Sequence, residues 1–466
     1  MGAGKSTLGA ELADRIGRPF VDVDEEIERR IGAIDEFFLR HGEEAFRNVE
    51  ATTIEPLLAQ REPQVLALGG GAVTTPAVRE ALAEGAFTVL VEVGVDEAWD
   101  RVRGSGRPLA RDAEEFRALY DERRALYDEA ADARASDVDG AVLAAAGVHV
   151  EVEALARLGE LVPGGEVALV MEPRVAGIHG AAAQLALGER LVATHELPTG
   201  EAAKTVATCE RLWHELRLDR AGTLVALGGG ALTDPVGFVA ATYLRGVSWT
   251  AVPTTLVGQV DAAIGGKTAI DLPQGKNLVG AFHWPARVVA DPAVLETLAA
   301  ADRRTGMAEA VKTGLLAGSS LWELPDRELI RAAAAYKAAV CLRDPCDRGP
   351  RQVLNLGHTF AHALEAGAGY ELSHGDAVAL GLTAALRLSE AHLGLDAAVR
   401  AEVERVLAPR VVKADRERAW AALQRDKKAE RGRARLVLLE APGRPMAGVE
   451  LPERDVRAAL EALIAL

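Results

Sequence analysis

Thr223-Leu224-Val225-Ala226-Leu227-Gly228-Gly229-Gly230-Ala231-Leu232-Thr233-Asp234 is the stretch on which the fold turns. Its first five residues predict a short buried strand, the three glycines a tight turn, and the rest the opening of a helix. A strand running through a bare glycine turn into a helix brings backbone N–H groups up to a phosphate. The spacing is not G-x-G-x-x-G, so the turn alone does not specify a dinucleotide. Outward from it the same alternation recurs. Residues 20–24, 65–68 (running into Gly69-Gly70-Gly71), 88–93 and 167–170 read as strands between helical stretches. Short Val/Leu-rich strands of this kind predict parallel sheets covered on both faces. The flanks of the two glycine triplets differ, so they are not an internal repeat. Beyond about residue 296 helical spacing takes over and predicts an all-helical region. The expected division is 1–138, a junction at 139–162, an α/β domain at 163–296 and a helical domain at 297–466.

A chain of 466 residues with 49% apolar content is long enough for two or three cores. The net charge of −16 argues against nucleic acid and anionic membranes as partners, but not against small anions held by local cations. Cys209, Cys341 and Cys346 form no C-x-x-C pair, so a reducing cytoplasmic setting is expected. No signal peptide or membrane-length apolar run is present.

At the N-terminus, Met1-Gly2-Ala3-Gly4-Lys5-Ser6-Thr7 is the tail of a phosphate-binding loop, G-x-x-x-x-G-K-[ST]. Gly4 would free the backbone, Lys5 would reach the β/γ-phosphates, and Ser6 would hold Mg²⁺. The pattern's first glycine and its preceding strand are absent. Asp22 and Asp24, at the end of the next predicted strand, are placed to serve the metal and an attacking hydroxyl. Arg47, Gly69–Gly71 and Arg123 offer cations and bare N–H groups to an anionic acceptor. Arg107 lies in a loop fit to close over phosphates. Singly, each arginine reads as a solvated helix face.

In order, G-K-S-T, D-V-D-E-E-I, F-R-N-V-E, L-G-G-G-A-V-T, G-R-P-L and R-R-A-L-Y resemble shikimate kinase over roughly residues 1–135. The resemblance implies a P-loop kinase fold with its first strand missing from the sheet. It also implies ATP contacts at Gly4, Lys5, Ser6, Thr7 and Arg107, and Mg²⁺ at Ser6 and Asp22. Shikimate contacts would fall on Asp24, Arg47, Gly70, Gly71 and Arg123. Ala125 stands where the family usually has proline. Loss of a central strand would expose two ladder edges; the expectation is that the natural start lies upstream of Met1.

Farther along, His358-Thr359-Phe360-Ala361-His362 sets two imidazoles on one helical face. His374 follows, and Glu309 lies upstream. Together they offer N and O ligands for a divalent metal. Arg245, Lys267, Lys276, Lys312, Lys337, Arg351, Lys427 and Lys428 point to a substrate bearing phosphate or carboxylate.

P-T-G-E-A-A-K, G-G-G-A-L-T-D, V-P-T-T-L-V-G-Q-V-D, G-K-N-L-V-G-A-F, M-A-E-A-V-K, L-N-L-G-H-T-F-A-H-A-L-E and S-H-G-D-A-V resemble 3-dehydroquinate synthase over about residues 165–445. That resemblance implies Zn²⁺ (or Co²⁺) ligands Glu309, His358 and His374, with His362 in the substrate pocket instead. NAD contacts are implied at Glu201, Lys204, Gly229, Gly230, Asp234, Thr254, Thr255, Lys276 and Asn277. Substrate and catalytic contacts are implied at Asp261, Lys267, Lys276, Asn277, Lys312, Lys337, Arg351, Asn355, His362 and Lys427. Arg245 would be supplied across a homodimer interface. Arg174 stands where the family has an amide, Glu172 keeps a carboxylate for the adenosine ribose, and Asp376 stands where Glu is usual. Two alternatives remain: a synthase with an inactive N-terminal module, or a related metal- and NAD-dependent enzyme. Arg351 and Lys337 favour a carboxylate-bearing substrate over other sugar-phosphate cyclases.

Overall fold

A computed structural model of the protein describes residues 2–103, 112–425 and 435–465. Arg107, Lys427 and Lys428 lie outside the described residues. The chain forms two compact units, Met1–Ala146 and Gly147–Leu466.

In the first unit the Lys5–Ile16 helix starts from Gly4, whose φ of 79° and ψ of 25° are left-handed and suit glycine. Strand β1 (Phe20–Asp22) pairs in parallel with β2 (Val65–Ala67), and β3 (Val89–Val91) with β4 (Ala133–Ala135). The predicted strand at 20–24 is therefore shorter. Asp22 caps the Val23–Ile31 helix by accepting from the Asp24 N–H at 3.0 Å, which puts Asp24 in the first helical turn. The two ribbons do not join among the described residues. Between them lies a cavity of about 800 Å³, lined by Leu66 and Ala67 of β2, Val89 and Leu90 of β3, and Leu8 and Leu12 of the first helix.

The second unit holds β5 (Val148–Val150), β6 (Val167–Met171), β7 (Leu191–Glu196), β8 (Thr223–Gly228), β9 (Ser248–Pro253), β10 (Lys267–Leu272), β11 (Gly275–Phe282) and β12 (Arg287–Ala290). Six of them form one parallel sheet in the order β5-β12-β9-β8-β6-β7. Every residue of β8 is buried, as a strand covered on both faces requires. From β6 the chain moves outward to β7, then crosses back to β8 on the other side. The ends of β6 and β8 thus flank a topological switch point, where such sheets bind ligands. Strands β10 and β11 form a separate antiparallel hairpin.

Helices Ala300–Ala317, Asp326–Arg343, His358–Gly367 and His374–Leu393 come next, with Val311, Leu315, Phe360, Leu364, Leu382 and Leu386 in their shared core. The region is not all-helical as expected. An antiparallel hairpin, β13 (Leu436–Ala441) with β14 (Arg444–Val449), packs on it, and the Leu439 N–H donates to Ser389 Oγ at 3.0 Å. Residues 139–162 are likewise not a linker. The Val138–Ala145 helix belongs to the first unit, whereas β5 pairs with β12 inside the large sheet. Asp291 anchors the turn after β5 by accepting from the N–H groups of Glu153 (2.9 Å) and Leu155 (3.0 Å). An eight-residue helix is too short to show a readable period, and a three-residue strand is specified by its distant partner.

Candidate functional sites

In the first unit, the residues expected to bind an anionic acceptor surround the Gly69–Gly71 turn after β2. An added Cβ at Gly69 would meet Asp24 Oδ1 at 2.8 Å and Glu50 Oε1 at 2.7 Å. One at Gly71 would run into the Arg47 guanidinium. Arg123, 5% exposed, donates to the Gly70 carbonyl at 3.3 Å, and the Tyr127 hydroxyl donates to it at 2.6 Å. Lys5 lines the neighbouring cavity with Gly69 and Gly70, and Ser6 and Thr7 occupy the first turn of the same helix. Asp24, Arg47, Gly70, Gly71 and Arg123 thus lie around one turn.

Glu50 was not anticipated. It is 1% exposed and accepts from Arg47 at 2.7 Å. It lies three residues beyond Arg47 on one helical face, a spacing that in sequence reads as a solvated ion pair. Burial pushes its carboxyl up, more than Arg47 draws it down. Replacing Arg47 with alanine is expected to cost about 3 kcal/mol at neutral pH, because a buried carboxylate loses its partner. The folded-state pKa of Glu50 then lies still further above its unfolded value. The deficit is smallest below about pH 4, where both states hold the proton, and grows as pH rises through the folded-state pKa. Urea unfolding read by hydrogen exchange in the first unit, in acid and at neutrality, checks this. Equal deficits at both would show that Glu50 does not carry the cost.

In the second unit the switch point is built from backbone. Gly229 caps the Gly230–Thr242 helix directly after β8. A Cβ there would approach Thr255 Cγ2 at 3.0 Å, and Thr254 donates its N–H to Gly228 O at 3.0 Å. Glu172 and Arg174 after β6 line a small pocket together with Thr254 and Thr255. One helical turn on, Asp234 accepts from Lys204 at 2.8 Å, and Lys204 also donates to Asn277 Oδ1 at 2.5 Å. Lys276 approaches Glu201 at 3.7 Å. These sites, drawn from the 3₁₀ turn Gly200–Ala203, the helix and the β10–β11 hairpin, form one connected cluster. A bare glycine turn, a carboxylate at the adjacent strand end and polar threonines fit a dinucleotide.

The helical layer supplies the second cluster. Ligand atoms of Glu309, His358 and His374 all lie within 4.8 Å of one another. Glu309, 1% exposed, faces His358 Nε2 at 3.3 Å and His374 Nε2 at 3.1 Å through Oε1. Two imidazole nitrogens converging on the oxygen of a buried carboxylate suit Zn²⁺ or Co²⁺, with His374 on the solvent side of the cluster. Burial pushes the Glu309 carboxyl up, yet Lys312 and the imidazoles hold it well below the usual carboxylate range. Burial and Lys312 lower the pKa of His358, keeping the ring neutral as a ligand must be. His374 is pushed up to about 10 against burial, by hydrogen bonds to Glu309 and Glu365. Beside them Lys312, 1% exposed, lies 2.5 Å from Glu309 Oε2 and 3.7 Å from Asp261, and Lys337 donates to Asp261 at 2.6 Å. Arg351, 2% exposed, donates to Gly265 O at 2.9 Å. Its Nε has no partner, a donor left for an anion. Lys267 pairs with Asp347 at 2.6 Å, and Asn355 donates to Gln352 O. The His362 ring lies edge-on to His358 with centroids 5.6 Å apart.

Arg245 is not brought into this cluster. It is exposed, with φ 68°, after the Gly230–Thr242 helix, and forms no ion pair with described residues.

The second unit shares its fold with two solved synthases. One is a 2-deoxy-scyllo-inosose synthase (22% identity, TM-score 0.62, 68% of this chain and 96% of that one). The other is a 2-epi-5-epi-valiolone synthase from Streptomyces hygroscopicus with NAD⁺ and Zn²⁺ bound (25% identity, TM-score 0.62, the same coverage). The fold defines a P-loop kinase unit joined to a synthase unit of the fold that these two share. Family models match in the same order: shikimate kinase at residues 1–147, 3-dehydroquinate synthase N-terminal at 194–305, and 3-dehydroquinate synthase C-terminal at 306–429. The chain belongs to the bifunctional shikimate kinase/3-dehydroquinate synthase family, enzymes of the shikimate pathway. A protein of that name from Thermotoga maritima is 34% identical over 415 residues, 82% of each chain. The 3-dehydroquinate synthase of Bordetella pertussis is 43% identical over 321 residues, 63% of this chain and 89% of that one.

Proposed function

We propose that the second unit converts 3-deoxy-D-arabino-heptulosonate 7-phosphate to 3-dehydroquinate with release of phosphate, and that the first transfers a phosphoryl group from ATP to shikimate. The observation that carries the synthase reading is the convergence of Glu309, His358 and His374 beside buried Lys312, Lys337 and Arg351. Zn²⁺ or Co²⁺ held there would polarise a substrate hydroxyl, and NAD⁺ at the Gly229–Gly230 turn would accept and return a hydride. Asp261 and Glu309 hold the buried Lys312 ammonium in its charged form against the pull of burial; the Asp261 carboxyl, raised by burial, is drawn down by Lys312 and Lys337. Those lysines and Arg351 then hold the substrate's anionic groups in place. His362, whose ring lies beside that of His358, would move a proton between substrate and solvent. Lys267, Lys276 and Asn277 approach from the β10–β11 hairpin.

In the first unit Gly4, Lys5, Ser6 and Thr7 would bind ATP, with Ser6 and Asp22 on Mg²⁺. Asp24, Arg47, Gly70, Gly71 and Arg123 would orient shikimate. Arg245 is assigned to the site of a second copy in a homodimer, and the enzyme to the cytoplasm. Among the described residues, no helix is long and apolar enough to cross a membrane.

Treatment with EDTA is expected to abolish phosphate release from the heptulosonate phosphate, and Zn²⁺ or Co²⁺ to restore it. Turnover that survives exhaustive chelation sinks the metal assignment. A second reading, a synthase carrying an idle first unit, draws on the split sheet around the 800 Å³ cavity.

A further inference from the structure

We infer that Glu365 is a positioning residue that fixes the His374 ring for metal binding; the inference rests on Glu309, His358 and His374 being the metal ligands. Glu365 follows His358 by seven residues on the His358–Gly367 helix, so the two lie on one face. It is 7% exposed, unusual for glutamate unless a partner meets it. That partner is His374, whose Nδ1 lies 3.1 Å from Glu365 Oε1 while its Nε2 lies 3.1 Å from Glu309 Oε1.

The other ring is oriented in a parallel way. His358 Nδ1 lies 3.2 Å from the Leu356 carbonyl, and its Nε2 faces Glu309. In each imidazole Nδ1 is tied to an acceptor and Nε2 is turned toward the same carboxylate oxygen. For His358 the acceptor is backbone, fixed by the turn that starts its helix. For His374 it is a side chain from a different helix. His374 is the first residue of its own helix, after the Ser373 cap, where no preceding turn restrains the ring. A carboxylate accepting from the far nitrogen of a ligating histidine selects the tautomer, sets the ring plane and raises ligand basicity. Glu365 touches neither the reacting atoms nor the metal, so its effect passes through His374.

The test uses the full 466-residue chain, stripped of metal and titrated with Zn²⁺ against a chromophoric chelator. Glu365→Ala is expected to weaken Zn²⁺ binding by about 10- to 100-fold and to shift the visible absorption of the Co²⁺ form. Glu365→Gln keeps shape and an acceptor oxygen. It is expected to fold like the parent, to lose less affinity than the alanine variant, and to release Zn²⁺ faster than the parent. The inference is overturned if both variants bind Zn²⁺ as the parent does with an unchanged Co²⁺ spectrum. It is equally overturned if the glutamine variant releases metal at the parent rate, or if alanine lowers only the melting temperature of the metal-free protein. Failure of the ligand assignment itself looks different: the parent would bind no Zn²⁺, or Glu309→Ala would bind it as tightly as the parent.

Discussion

Replacing Glu309 with alanine is expected to lower phosphate release from the heptulosonate phosphate by at least about 1,000-fold, while shikimate-dependent ADP formation by the first unit stays unchanged. The variant removes the only carboxylate of the three-residue cluster and the acceptor that both Nε2 atoms face. A metal's stabilisation of developing charge is worth several kcal/mol, and about 1.4 kcal/mol is tenfold in rate, so three decades is a modest expectation. Folding should suffer less than the burial of Glu309 suggests, because Lys312 keeps Asp261 as a counter-charge at 3.7 Å. Metal content and thermal melting, measured beside the rate, separate the two effects. A folded Glu309→Ala protein that retains both metal and full turnover would rule out the metal centre. His358→Ala should behave alike, whereas His362→Ala should keep its metal and lose turnover. That contrast distinguishes the i, i+4 histidine pair that the helix displays from the ligand set that the fold assembles.

The contrast also shows where sequence was sufficient. The stretch 223–234 announced itself because burial on both faces demands an apolar strand, and the close turn after it demands glycine. Both demands are local. Glu309, His358 and His374, the proposed ligands, were legible through long ordered motifs, although their convergence depends on three separate helices. Glu50 and Glu365 were not legible. A glutamate on a helix reads as solvated, and only packing from distant segments buries these two against Arg47 and His374. β5 was missed for a related reason, since its register comes from β12, some 140 residues later. Arg245 is a separate case. Its motif assigned it to the site of a second copy, and within one chain it stands exposed in a left-handed turn.

The second large effect concerns the first unit. A chain lengthened at its N-terminus by a five-residue apolar strand, a glycine and one further residue, which completes G-x-x-x-x-G-K-S, is expected to raise shikimate-dependent ADP formation at least tenfold. It should also protect the first unit against proteolysis. Strands β2 and β3 each pair on one side only among the described residues, and both line the 800 Å³ cavity with the Lys5–Ile16 helix. An added strand in parallel register would satisfy both open ladders and bury apolar surface of Leu66, Leu90, Leu8 and Leu12. At about 25 cal/mol per Å², a few hundred Å² newly buried contributes several kcal/mol before ordering costs are subtracted. The catalytic consequence comes from position. Gly4 and Lys5 open the helix that borders the cavity, and the Gly69–Gly71 turn leaves β2 beside it, so one packing event steadies the ATP loop and the acceptor turn together. Steady-state assays of the 466-residue and lengthened chains, with phosphate release from the second unit as internal control, decide the matter. A tenfold gain confined to ADP formation supports the added strand as the cause. Equal kinase rates, both high, would show that the split sheet suffices; equal rates near zero in a folded, protected first unit would leave the synthase as the chain's sole activity.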